Sequence, residues 1–108
     1  MADTLRVLII DSPDINFSEK SAKELHKSVS SCQNLELLKL EAEESPILYF
    51  HNARYKIQTK ILLITIRRSY EYIKIIRNLH RCFNLDVEIH LTFDTYVHID
   101  NHKHAFFR

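Results

Sequence analysis

One pair of residues whose types and spacing suggest chemistry is Lys20-Ser21. They stand where the phosphate loop G-x-x-x-x-G-K-S/T would close, one turn beyond the first apolar run. Asp14 and Glu19 occupy the two glycine positions of that pattern. A carboxylate at each would put negative charge where a phosphate must lie. Neither side chain has the φ > 0 freedom that a phosphate cradle uses. The chain contains no glycine at all, where average composition gives about seven or eight. Lys20 therefore reads as a solvated lysine in a first helical turn. Asp11, Asp14 and Asp94 follow strand-like runs, at the sheet edge where α/β folds place ligands. Aspartate there also serves turn chemistry, and that is the reading taken here. Of seven histidines, His90, His98, His102 and His104 fall late in the sequence. His98 and His102 have the i, i+4 spacing of metal ligands on a helix. No glutamate accompanies them in the H-E-x-x-H sense, and Asp100 and Asn101 are poor helix residues. These histidines read as polar surface. No Ser/His/Asp or Cys/His set can be assembled, so we expect no catalytic residue, no cofactor and no metal.

What remains is a basic and aromatic set. Arg67, Arg68, Arg77 and Arg81 lie near Tyr70 and Tyr72, while Tyr49, Phe50 and Tyr55 occupy the long connection before them. Arginine and tyrosine combine contact area with directional hydrogen bonding, which is why they recur at interface hot spots. Arg67, Arg68, Tyr70, Arg77, Arg81, Tyr49, Phe50 and Tyr55 are the expected partner-binding residues. The same composition can bind nucleic acid. However, 15 Lys+Arg against 14 Asp+Glu leave a net charge of +1, which supplies no general pull toward phosphate. A protein partner is the first expectation and nucleic acid the second.

The elements that must position these residues can be read from periodicity. Leu5 to Ile10 is a short branched apolar run, expected as a central strand buried on both faces. Asp11-Ser12-Pro13-Asp14 reads as the turn that ends it. Asn16 and Glu19 have capping-box spacing, and Ser18, Ala22, Leu25, Val29 and Cys32 make one face of the helix that follows. Gln33-Asn34 is its expected exit, and Leu35 to Leu40 the second strand. The segment 41–60 opens with the acidic cluster Glu41, Glu43 and Glu44. Within it, residues 47–50 read either as a short strand or as an apolar loop anchor. Lys60 to Ile66 is the clearest central strand. Ser69 is placed to cap a second helix, whose stripe Tyr72, Ile76, Leu79 and Phe83 is widened by Ile73 and Ile75. Val87 to Phe93 alternates with period two, as a half-solvated strand near a sheet edge does. Leu25, Val29, Ile64, Ile76 and Leu79 are expected in the core.

The order β-α-β-loop-β-α-β implies one α/β domain over 1–108, with a Rossmann-like, small-GTPase-like, mostly parallel sheet and a flexible tail over 95–108. Cys32 and Cys82 are too few for a disulfide scaffold and read as buried thiols of a reducing compartment. Leu5 to Ile10 is too short for a signal sequence or membrane span, so a cytosolic or nuclear location is expected.

The run from Ile61 through Ile66 to Arg67-Arg68-Ser69-Tyr70-Glu71 resembles the fourth strand and following helix start of Ras-type small GTPases. Val87 to Phe93 falls where their next strand would be. The guanine-reading N-K-x-D is replaced by Thr92-Phe93-Asp94-Thr95, and D-x-x-G cannot exist without glycine. A small-GTPase layout stripped of its nucleotide motifs resembles the centromere protein M family of kinetochore pseudo-GTPases. The likeness extends over the first strand and helix, Leu35 to Leu40, the polar connection near Asn52-Ala53-Arg54, and Ile61 to Phe93. It implies a non-catalytic subunit of the inner kinetochore in the nucleus. Its partner would be a helical-repeat protein, centromere protein I, alongside centromere proteins H and K. The same β-α-β half is also similar to the inactive partner in XPF-type nucleases, which implies a DNA-touching heterodimer. The helix-hairpin-helix module of that class is missing from this chain. Isothermal calorimetry with GTP and with ATP is expected to register no binding, and a micromolar affinity for either would refute the loss of the phosphate cradle.

Overall fold

The computed structural model describes residues 4–84 and 86–93, and the expected tail, 95–108, lies outside them. Four strands alternate with two α-helices and one short 3-10 helix. They are β1 (Val7–Asn16), α1 (Glu19–Ser30), β2 (Leu35–Glu44), the 3-10 helix Pro46–Tyr49, β3 (Thr59–Ile66), α2 (Glu71–Cys82) and β4 (Glu88–Phe93). The sheet order is β1-β2-β3-β4 and every neighbouring pair is parallel. The fold is therefore α/β and Rossmann-like. Among the described residues the strand order does not reverse, so they form no switch-point crevice of the kind in which doubly wound folds hold their ligands.

This order decides which residues are covered. Parallel neighbours need a crossover, and crossovers are right-handed. When every crossover steps the same way across the sheet, all of them land on one face. Leu38, Leu40 and Ala42 of β2 and Leu62, Ile64 and Ile66 of β3 point to that face and are buried. The residues between them on each strand point the other way, where the described residues provide no second layer.

Leu5 to Ile10 was expected to be central and buried on both faces. It is instead the body of an edge strand, and Val7 and Ile9 remain 49% and 54% exposed. Nor does the strand stop at Asp11. It runs on to Asn16, with the register shifting between Ser12 and Asn16. An edge strand tolerates Pro13 at such an irregularity, because the missing N–H costs no interior ladder bond. The acidic cluster also belongs to a strand, since β2 extends through Glu44.

The helices form as their composition dictates, with different caps from those expected. Ser18, rather than Asn16, caps α1, its hydroxyl accepting from the Ser21 amide at 3.1 Å. No described residue has positive φ, so α1 ends without a left-handed cap. Its last carbonyls are taken up by hydroxyls: Ser30 Oγ donates to Lys27 O and Ser31 Oγ to Ser28 O, both at 2.7 Å. Ser69 does not cap α2. Tyr70 holds that position without a side-chain bond.

Of the two readings of residues 47–50, short strand or apolar anchor, the anchor is the one that forms, as part of a 3-10 turn. Ile47, Leu48 and Phe50 are buried, and the 3-10 helix packs against both α1 and α2. It fills the place of a crossover helix between β2 and β3. Asn78 of α2 fixes it, donating from Nδ2 to Ile47 O at 2.7 Å and to Leu48 O at 3.2 Å. Cys82 Sγ lies 3.0 Å from Phe50 O, and the Ile57 amide donates to Cys82 O at 2.7 Å. Both thiols are free and buried. Of the expected core, Val29, Ile64 and Leu79 are buried, while Leu25 and Ile76 are half-buried. His26, Ile75 and Asn78 take the inward positions instead.

Phe50 is a core residue with no exposed surface. Phe50→Ala should therefore destabilise by about 3–5 kcal/mol. Tyr70→Ala, at a position 65% exposed, should stay within about 0.5 kcal/mol. Urea unfolding midpoints compare the two directly.

Candidate functional site

The uncovered sheet face is built from rows that the strand register aligns. One row is Val7–Leu37–Ile61–Glu88 and the next is Ile9–Lys39–Leu63–His90. The apolar side chains are concentrated on β1, β2 and β3. At the N-terminal end Arg6 bridges Glu36 at 3.1 Å. Towards the C-terminal end lies a relay of charges. Asp11 Oδ2 accepts from Lys39 Nζ at 3.0 Å, Lys39 approaches Glu41 at 3.9 Å, and Glu41 Oε1 accepts from Arg67 at 2.8 Å. Hydrogen bonding to Lys39 holds the Asp11 carboxyl below its usual value. Lys39, Glu41, Leu63, Thr65, Arg67 and Thr92 line a shallow depression beside this relay. The face thus presents an apolar strip bordered at its C-terminal end by pairs that neutralise one another.

A second cluster lies at the same sheet end, where β2 meets the start of α2. Arg68 forks onto Glu43, Nη1 donating to the backbone carbonyl at 3.1 Å and Nη2 to Oε1 at 2.7 Å. Its Nη1 is also 3.5 Å from Glu71 Oε2. Glu71 is fully buried, and neither of its carboxylate oxygens makes a hydrogen bond of normal geometry. Burial pushes its carboxyl up and the nearby Glu44 carboxylate adds to this, while Arg68 and the backbone at Ser45 oppose it. Tyr49 Oη donates to Glu44 Oε1 at 3.1 Å.

The expected partner-binding residues do not form one surface. Arg67 and Arg68 are committed to Glu41 and Glu43. Tyr49 is tied to Glu44, and Phe50 is in the core, where it cannot anchor a partner. Tyr55 is half-buried, and its carbonyl accepts from His26 Nε2 at 2.7 Å. Tyr70, Arg77 and Arg81 are exposed. His26 itself is stacked on Phe50, with ring centroids 4.6 Å apart. Burial lowers its pKa, so it is a neutral core imidazole with its proton on Nε2.

Lys20 is solvent-exposed in α1, and the Ser21 amide is already taken by the Ser18 cap. Asp11 is spent on Lys39 and Asp14 is exposed, while Asp94, His98, His102 and His104 lie outside the described residues. His90 contacts Glu88 on β4. Among the described residues no three His, Cys, Asp or Glu side chains are grouped as a metal site would need. Burial also raises the Cys82 thiol, which keeps it protonated and unreactive.

Sequence reasoning missed the exposed sheet face, Asn78 and the burial of Glu71. A count of crossover helices was the available signal for the face: two cannot cover both sides of four strands. Nothing in the sequence separates Glu71 from an ordinary first-turn acid. Comparison with family models, with curated proteins and with solved structures finds no match for this chain.

The raised Glu71 pKa fixes the sign of a pH effect. The unfolded chain releases this proton near the ordinary value of about 4.3, and the folded chain only at higher pH. Ionisation therefore costs folded stability progressively as pH rises from the unfolded value through the folded one. Glu71→Gln removes that cost, so its stability relative to wild type should increase from pH 4 to pH 8. Denaturant midpoints at both pH values measure the difference, and a pH-independent gap contradicts the assignment.

Proposed function

We propose that this chain is a non-catalytic interaction subunit, and that the uncovered sheet face is where a protein partner docks. The observation that carries the reading is the exposure of Val7 and Ile9, 49% and 54%, on a parallel sheet. All-parallel sheets are normally covered on both faces, and a contiguous exposed apolar patch marks an interaction site. A helical surface is the natural cover, because helices pack on parallel sheets in every α/β layer architecture. The resemblance to the centromere protein M family supplies the assembly: an inner-kinetochore pseudo-GTPase scaffold in the nucleus, contributing to chromosome segregation. Its helical-repeat partner is then centromere protein I, with centromere proteins H and K. The self-neutralised border from Asp11 to Arg67 favours such a partner over DNA, since a phosphate backbone needs unpaired cations.

The exposed Arg77 and Arg81 belong to α2, on the helical side of the sheet, and stand apart from this face. Ile9→Asp and Leu63→Glu should each weaken capture of recombinant centromere protein I at least tenfold, about 1.4 kcal/mol, with unchanged far-UV circular dichroism. Arg77→Ala should change it far less. Equal binding by wild type and both face variants removes the face from the proposal. Affinity for branched duplex DNA that falls steeply with salt, without protein capture, moves the chain to the nuclease-partner class.

A further inference from the structure

The two α-helices carry cations at matching positions. Lys20, Lys23 and Lys27 of α1 and Lys74, Arg77 and Arg81 of α2 both follow the spacing i, i+3, i+7, which gathers three side chains into one stripe of a helix. All six are exposed. The buried positions fix how each helix is rolled. Ala22, His26 and Val29 turn inward from α1, and Ile75, Asn78, Leu79 and Cys82 from α2. At about 3.6 residues per turn, each stripe lies more than a quarter turn from its buried face, in opposite senses on the two helices. The helices cross one sheet face in the same direction, so opposite senses make the stripes either converge or diverge. They converge, because Lys20, Lys23 and Lys27 line one depression with Tyr55, from the connection between the helices. Lys27 Nζ stands 6.0 Å from the Tyr55 ring centroid, and the neighbouring Lys56 Nζ donates to Arg81 O of α2. The 3-10 helix, packed against both α-helices, lies beneath.

The net charge of +1 therefore conceals a segregation. On the strands Lys39, Arg67 and Arg68 are spent on acids. Of the six stripe cations, only Lys23 has a carboxylate partner among the described residues, Glu19 at 2.8 Å. Glu24 is the other acid lining the depression. Tyr70, 65% exposed, continues the α2 stripe four residues before Lys74. Unspent cations on two sides of a groove, with an aromatic ring beside each stripe, are what a sugar–phosphate chain with accessible bases requires. A protein partner would need an apolar centre to bury. Among the described residues the only large apolar side chain exposed on these two helices is Ile73. A duplex hides the base faces that tyrosine rings would stack on. We propose that the groove between α1 and α2 binds single-stranded nucleic acid, phosphates on the two basic stripes and bases against Tyr70 and Tyr55.

The test is fluorescence anisotropy of the full chain with labelled oligo-dT and oligo-U of about 15 nucleotides, across a salt series. Circular dichroism is the folding control, and every substituted side chain is exposed. Wild type should bind at least one of the two strands, and the comparison of the two assigns DNA or RNA. Lys20→Glu/Lys27→Glu and Lys74→Glu/Arg77→Glu should each weaken binding by about tenfold or more and flatten its salt dependence. Tyr70→Ala should weaken it by about fivefold or more at an unchanged salt slope, and Tyr70→Phe should bind as wild type does. No binding of either strand at low salt overturns the proposal, and so do charge reversals without effect. Polyglutamate or a duplex bound as tightly as the single strands, with no dependence on Tyr70, also overturns it, since the groove then reads charge alone. Ile9→Asp, on the sheet face, should leave oligonucleotide affinity unchanged. The charge reversals should leave capture of centromere protein I unchanged, so the two proposals fail separately.

Discussion

The arrangement depends on one buried side-chain amide. Asn78 reaches from the middle of α2 to two carbonyls of the 3-10 helix, Ile47 O and Leu48 O. Ile47 O also accepts from the Phe50 amide at 3.0 Å, whereas a buried carbonyl left without a donor, as Leu48 O would be on loss of this one, costs about 1–3 kcal/mol. With the amide in place, a four-residue helix does the work of a full crossover helix. It carries Ile47, Leu48 and Phe50 into the gap between α1 and α2, and Phe50 in turn supports the His26 ring. The helical layer is continuous only because this segment is held down.

The charged groups are arranged by the same geometry. Parallel strands all end on one side, so Asp11, Glu41, Glu43, Arg67 and Arg68 gather there from three strands. In a doubly wound fold such a gathering surrounds a ligand. Here the acids and bases consume one another: Asp11 with Lys39, Glu41 with Arg67 and Glu43 with Arg68. The buried Glu71 is the one charge in the group whose environment opposes its ionisation. The place where chemistry would be sought has become part of the frame.

The sequence carried the elements better than their surroundings. The period-two pattern of Val87 to Phe93 and the run Lys60 to Ile66 located β4 and β3 within a residue, because a strand imposes its alternation directly. Leu5 to Ile10 was misread for a physical reason. A run apolar on both sides marks a strand buried on both faces, and it equally marks one that leaves a face exposed, as Val7 and Ile9 do. Asn78 sits at a polar position of a helix and looks solvated until the 3-10 carbonyls are brought to it. Phe50 could not be told from an interface anchor, since aromatics serve both ends. Tyr70, Arg77 and Arg81 were placed correctly at the surface, but their proximity in sequence says nothing about shared purpose.

The unreversed strand order has a consequence for how the molecule is assembled. Each strand pairs only with strands adjacent to it in sequence, so the sheet is a linear array of βα units in which every interface is between chain neighbours. Each step still closes a loop of a whole βα unit, as the pairing of Val7 with Leu37 and of Ile61 with Glu88 requires, and parallel pairing of that span is slow to form. Such an array can grow from its N-terminal end as the polypeptide emerges, without waiting for a distant strand to slot between two others. Its stability is close to a sum of nearest-neighbour terms, as in repeat proteins. Among the described residues strand order follows chain order, and in that sense the fold has a direction of growth as well as a shape.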